Sequence, residues 1–177
     1  MHLYFVAITA PPAVDHEVLQ FKQTMLEQYG CRVALRSPAH ITLIPPFNLP
    51  DAEVHQLKTA LDNFAGSIPD FVLELKDFSC FPPRVIYVDV VHNESLKQVQ
   101  SLLEVRLLPY FPVKKSTRPF HPHVTIANRD LDKSHFEEAW RHFKDQAYNV
   151  QFPASGISLL QYNGNRWQTI HTAPLTG

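Results

Sequence analysis

Two four-residue stretches carry the residue types best suited to chemistry in this chain, His40-Ile41-Thr42-Leu43 and His123-Val124-Thr125-Ile126. Each alternates polar and apolar residues with the period of a half-buried strand. His and Thr then share one face while the two aliphatic side chains enter a core. Imidazoles titrate near neutrality, so a pair of them can act as general base and general acid at one phosphorus centre without a metal. Threonine hydroxyls can donate hydrogen bonds to non-bridging phosphate oxygens as charge builds there. Opening a ribose 2′,3′-cyclic phosphate uses these parts: one His takes a proton from water and the other protonates the departing ribose oxygen. Run backwards with a 5′-hydroxyl as nucleophile, the same parts make a phosphodiester bond.

Such pairs work only if other elements hold them face to face. Leu3 to Ile8 reads as a buried strand stopped by Pro11-Pro12, and Val14, Val18, Phe21 and Met25 form the stripe of a helix ending near Gly30. Residues 39–44 are strand-like and closed by Pro45-Pro46; Asp51 is placed to cap a helix burying Val54, Leu57, Leu61 and Phe64; residues 71–75 form another strand. The second half repeats this order. A strand at 85–91 precedes a helix capped by Asn93 that buries Leu96, Val99 and Leu103 and stops before Pro109 and Pro112. A strand follows at 123–127, then a helix from Asp132 with Phe136, Ala139, Trp140 and Phe143 inward. Residues 157–162 and 167–172 close the chain as a hairpin around Asn163-Gly164-Asn165.

Leu3-Tyr4-Phe5 lies 83 positions before Ile86-Tyr87-Val88, and the two His-x-Thr stretches are also 83 apart. This spacing predicts a duplicated β-α-β-α-β unit, with pseudo-repeats at about 1–80 and 84–177 facing each other across a pseudo-twofold axis. No Gly/Ser linker divides them, so a single domain is expected.

The chain has 177 residues, 45% of them apolar, enough for a real core and too many for a disordered chain. Its 16 Lys+Arg and 17 Asp+Glu give a net charge of −1, which argues against tracking a long nucleic-acid backbone and for a grip on one or two nucleotides. Two cysteines, Cys31 and Cys80, argue against a disulfide framework or a cysteine-rich zinc site. No apolar run reaches the roughly 20 residues of a spanning helix, and Leu3 to Ala10 is too short for a signal peptide. A cytoplasmic monomer with no membrane association and no obligate protein partner is expected.

The paired tetrapeptides resemble the signature of the 2H phosphoesterase superfamily, and most nearly its bacterial 2′-5′ RNA ligase / cyclic phosphodiesterase branch. The run Arg118-Pro119-Phe120-His121-Pro122-His123 is similar to that branch as well, which favours a basic residue, an aromatic and a proline before the second motif. The resemblance implies an α+β, bilobal fold: two pseudo-symmetric antiparallel sheets with outer helices around a central cleft. It implies metal-independent, cofactor-free phosphodiester chemistry on a nucleoside 2′,3′-cyclic phosphate or an RNA end, with 2′-5′ joining as the reverse reaction. By matching position, His40 and His123 would be catalytic, and Thr42 and Thr125 would bind phosphate. The chain departs from the pattern at Ile44-Pro45-Pro46-Phe47, where the branch often has an earlier aromatic and a Gly. The Arg often found after the second motif appears as Arg129, one place late.

Around these four residues, Arg118 is placed to hold phosphate or to pair with a surface carboxylate, and Arg129 to contact substrate or serve the surface. Phe47, Phe81 and Phe120 stand beside prolines on loops that could rim a cleft and stack on a base, or pack locally. Tyr87 and Trp167 read as core. His121 is a further substrate contact, and with His123 and His40 it could instead form a three-histidine metal site, making the protein a metal hydrolase. A non-catalytic nucleotide- or RNA-end-binding module is the other alternative.

Overall fold

Strand pairing sorts the chain into two sheets that do not coincide with its two halves. The computed structural model describes residues 1–176. In chain order it contains β1 (His2–Thr9), α1 (Pro12–Tyr29), β2 (His40–Leu49), α2 (Val54–Ala65), β3 (Phe71–Phe81), β4 (Val85–Val90), α3 (Glu94–Leu107) and β5 (His123–Ala127). There follow α4 (Phe136–Phe143), β6 (Asn149–Ala154), β7 (Gly156–Tyr162) and β8 (Trp167–Pro174). One sheet runs β2-β1-β7-β8 and the other β5-β4-β3-β6, with every neighbouring pair antiparallel. The fold is thus α+β with two four-stranded antiparallel sheets, as expected. However, β3 leaves its own half to sit between β4 and β6, and β7 and β8 return to complete the first sheet.

The internal match also needs correction. Ala7 pairs with Thr42 and Tyr87 with Thr125, so from Ala7 to Tyr87 is 80 positions, whereas from Thr42 to Thr125 is 83. The motif strands correspond at the expected offset, but β1 and β4 are three residues out of the register that Leu3-Tyr4-Phe5 implied. Register follows which face each strand buries, and a tripeptide of aromatic and aliphatic residues does not fix it.

Two strands are longer, or newly found, because proline behaves differently at a sheet edge. β2 continues through Pro45-Pro46 to Leu49, and β6 carries Pro153. Both are edge strands, where a missing backbone N–H leaves no ladder bond unmade. β3 likewise runs past Leu75, through a bulge at which Asp77 has φ 57° and exchanges hydrogen bonds with Tyr148.

Helix ends mostly follow their side chains. Gly30 closes α1 in the left-handed conformation, φ 70°, returning its N–H to Leu26. Asn93 caps α3 by accepting from the Leu96 N–H at 2.9 Å. Asp51 does not cap: it opens a 3-10 turn, Asp51–Glu53, ahead of α2, with its carboxylate near the His2 ring at 3.4 Å. Asp132 binds Ser134 in a turn, and α4 begins four residues later.

A continuous core joins the sheets, because helices cross from one to the other. Phe21 of α1 packs edge-on against Phe78 of β3 at 5.0 Å and against Phe143 of α4 at 6.3 Å, in the second lobe. α3 packs on β2, and α2 covers β7 and β8 with Leu57 and Leu61 fully buried. Each such leucine contributes about 1.5–3 kcal/mol of burial. These bridging helices set the spacing of β2 and β5. Among the described residues no helix is long and apolar enough to cross a membrane.

Candidate functional site

β2 and β5 are edge strands that meet where the two sheets abut. In each, alternation works as the sequence requires: Ile41, Leu43, Val124 and Ile126 are buried, while His40, Thr42, His123 and Thr125 are partly exposed. Those four polar side chains line one cavity of about 270 Å³.

Both imidazoles are held the same way. His40 Nδ1 lies 2.7 Å from the Pro38 carbonyl, and His123 Nδ1 lies 2.7 Å from the His121 carbonyl. A carbonyl only accepts, so each Nδ1 carries a proton and donates, leaving Nε2 to meet a ligand. Neutral, each ring offers Nε2 as a base; protonated, it offers Nε2–H as an acid. Burial pulls the pKa of His40 down to about 4, helped by the cations of Lys22 and His123 and opposed by the Pro38 hydrogen bond and Asp15. Burial also lowers His123, with His121 acting in the same direction and the His121 carbonyl and Asp89 opposing.

The segment before His40 is clamped by α1. Lys22 Nζ donates to the Ser37 carbonyl at 2.9 Å, and Asp15 Oδ1 accepts from the Ala39 N–H at 2.6 Å. The Ala39 carbonyl in turn accepts from the Ala10 N–H at 2.9 Å. Lys22 is only 2% exposed, and burial lowers its pKa to about 8 against the pull of Asp15. The apolar stripe of α1 gave no hint of this pair. Asp15 and Lys22 stand seven apart, two helical turns, and so share a face. His123 is supported differently. Its ring lies against Tyr87 at 5.0 Å and Phe81 at 5.2 Å, and Tyr87 Oη is 3.1 Å from His121 Nε2.

The other expected contacts divide. Phe81 reaches the His123 ring, as just described, and is 37% exposed. Phe47 does not rim the cleft: it falls on the buried parity of the extended β2 and packs near Tyr4, 6.4 Å between rings. Phe120 packs on the core and, with His121, lines a separate cavity that also holds Asp89 and Lys97. Arg118 and Arg129 are exposed and line no part of the motif cavity. What Arg129 does contribute is its backbone carbonyl, which accepts from Arg84 at 3.0 Å. The three-histidine set is not assembled either, since His121 Nε2 faces Tyr87 and Asp89. Among the described residues no group of three or more His, Cys, Asp or Glu is placed to hold a metal.

Trp167, read as core, instead walls the cavity. Its indole packs edge-on against Phe5 at 4.6 Å, and Phe5 packs on the His40 ring at 4.8 Å. Phe5 lies on the cleft face of β1 because Ala7 and Thr9 pair with Thr42 and His40, a register that only the folded chain shows. Ser37 and Asn128 also line the cavity, each from a segment flanking a motif strand.

A family model described as the 2′-5′ RNA ligase superfamily matches residues 10–166. Among curated relatives, a protein of Geobacillus sp. strain WCH70 is 27% identical over 162 residues, 90% of each chain. One of Staphylococcus epidermidis is 29% identical over 140 residues, 77% of this chain and 80% of that one. Both are provisionally named phosphoesterases. Among solved structures, Escherichia coli LigT complexed with 3′-AMP superposes with a TM-score of 0.73 at 19% identity over 99% of each chain. TT0787 of Thermus thermophilus gives 0.71 at 18% identity over 100% of this chain and 99% of that one. At these identities the solved structures establish the fold.

Proposed function

Because the chain belongs to the 2′-5′ RNA ligase superfamily, we propose that it is a metal-independent phosphodiesterase that opens 2′,3′-cyclic phosphates on nucleosides or RNA ends. The observation that carries this reading is the matched pair of imidazoles, each fixed through Nδ1 with Nε2 left for a ligand, beside two threonine hydroxyls in one cavity. His40 takes a proton from water as its oxygen bonds to phosphorus, and His123 protonates the ribose oxygen as the P–O bond breaks. The roles follow from the surroundings. Burial lowers the pKa of both rings, furthest at His40, to about 4, so His40 is assigned as the base and His123 as the acid. Thr42 and Thr125 donate to the non-bridging oxygens. LigT has been solved with 3′-AMP and with ATP, and a nucleotide-sized occupant suits a cavity of about 270 Å³ in a chain of net charge −1. The same residues serve the reverse, 2′-5′ joining reaction.

Phosphorus NMR of a nucleoside 2′,3′-cyclic phosphate incubated with the protein and EDTA tests this. Conversion to a single 2′- or 3′-monophosphate is expected. Nucleotide binding without conversion overturns it in favour of a binding module. Activity lost to chelator and restored by zinc overturns the metal-free mechanism.

Thr42→Val and Thr125→Val keep the strand shape and remove one phosphate donor each. Each is expected to lower kcat/KM about a hundred- to a thousandfold, the scale of one lost donor to developing charge, with a melting temperature within a few degrees of wild type. Unchanged kcat/KM in both variants would sink the phosphate-binding role.

A further inference from the structure

We propose that a second cavity, divided from the motif cavity by Trp167 and Ser37, receives the nucleoside that precedes the one bearing the cyclic phosphate. This rests on the phosphodiesterase reading and extends it to RNA ends of at least two nucleotides. The cavity measures about 490 Å³, larger than the motif cavity at about 270 Å³, and Ser37 and Trp167 line both. The two cavities are therefore neighbours, with the indole and Ser37 between them. The cavity near His121, by contrast, shares no lining residue with the motif cavity. The groove between α2 and α3, walled by Phe64, Leu102 and Tyr110, shares none either.

The walls match the parts of a nucleotide. Leu19 of α1, Leu35 and Ile170 of β8 give an apolar side to the slot beside the Trp167 ring, which suits one face of a base, while Asp15 and Lys22 of α1 line the same cavity. That indole is already fixed, edge-on to Phe5 and 5.2 Å from Tyr162, so stacking on it orders little that was loose. Arg166, exposed at the turn into β8, stands where it can bind the phosphate linking the two nucleosides. Gln168 and Thr169 offer hydrogen bonds to base edges. Such a site recognises one additional nucleotide and needs no long basic track, in keeping with the net charge of −1.

The test compares a dinucleotide ending in a 2′,3′-cyclic phosphate with its terminal nucleoside 2′,3′-cyclic phosphate alone. Wild type is expected to show a kcat/KM at least about tenfold higher for the dinucleotide, the value of one stacked base. Leu19→Trp, which fills the slot, and Arg166→Ala, on the exposed turn, are each expected to reduce that ratio towards one, and Arg166→Ala to leave mononucleotide turnover unchanged. In parallel, the affinities of the dinucleotide and mononucleotide 3′-monophosphates are read by titration calorimetry. Tighter dinucleotide binding, lost in Leu19→Trp, supports the subsite even if neither cyclic substrate turns over, a result that would overturn the phosphodiesterase reading alone. Equal kcat/KM and equal affinity for the two lengths overturn the subsite, as does a dinucleotide advantage that survives both variants.

Discussion

Replacing either His40 or His123 by alanine is expected to lower kcat/KM for a 2′,3′-cyclic nucleotide about 10²–10⁴-fold, the usual contribution of a positioned acid or base. The double variant should be little worse than either single one, since the two act in the same displacement. The pH dependence gives the sharper test. His40 as base must be unprotonated, so activity falls as pH drops through its pKa of about 4. His123 as acid must carry its proton, so activity falls as pH rises through a pKa held below the usual 6.5. Wild-type kcat/KM is therefore a bell whose optimum lies on the acid side of neutrality. Residual activity in His40→Ala should lose the acid limb, and in His123→Ala the alkaline limb. An optimum above neutrality, or both limbs kept in either variant, would show that other groups carry the protons.

What made the motif legible is that strand alternation depends only on neighbours in sequence. His40 and Thr42, like His123 and Thr125, sit on one face because Ile41, Leu43, Val124 and Ile126 must be buried. The orientation of each ring was hidden. It depends on carbonyls two residues upstream, whose direction is set by backbone that only the folded chain defines. Long-range pairing was hidden for a related reason. Nothing local in Phe71 to Leu75 says that β3 will insert between β4 and β6, because an antiparallel strand with one buried face fits either sheet equally well. Phe47 was misplaced because Pro45-Pro46 looked like a stop, which holds in a sheet interior and fails at an edge. Trp167 was read as core because aromatic residues usually are, yet its neighbours Phe5 and Leu160 form a small apolar cluster on the cleft side of the first sheet. The pseudo-symmetry itself is only partial. It holds at the two ring-to-carbonyl bonds and lapses behind them, where His40 is backed by Lys22 and Asp15 of α1 and His123 by the buried ring of Tyr87 and the more exposed rings of Phe81 and His121.

That difference has a consequence for Lys22 and Asp15, which contact no reacting atom and act through the backbone that carries His40. Lys22→Met keeps the volume and removes the cation. The Ser37 carbonyl loses its donor, at a cost of about 1–3 kcal/mol. Removing a buried ammonium offsets part of that, so the melting temperature should move by only a few degrees. Catalysis should suffer more. With Ser37 freed, the Pro38 carbonyl no longer fixes the imidazole, and kcat is expected to fall about ten- to a hundredfold with KM little changed. The acid limb provides the signature. The Lys22 cation helps hold His40 near 4, so its loss should move that limb upward, towards 6.5. Asp15→Asn keeps an oxygen for the Ala39 N–H but deletes the charge that favours a protonated His40, so the same limb should move downward. His123 is the other charged group near His40, and neither substitution changes it. Opposite shifts from two variants of one clamp cannot come from loosened packing, which would let water reach His40 and move the limb upward in both. Rate profiles for the two variants, measured from about pH 3.5 to about pH 8 and compared with wild type, decide between the two. A limb that stays fixed, or moves upward in both variants, would reduce Lys22 and Asp15 to a structural pair.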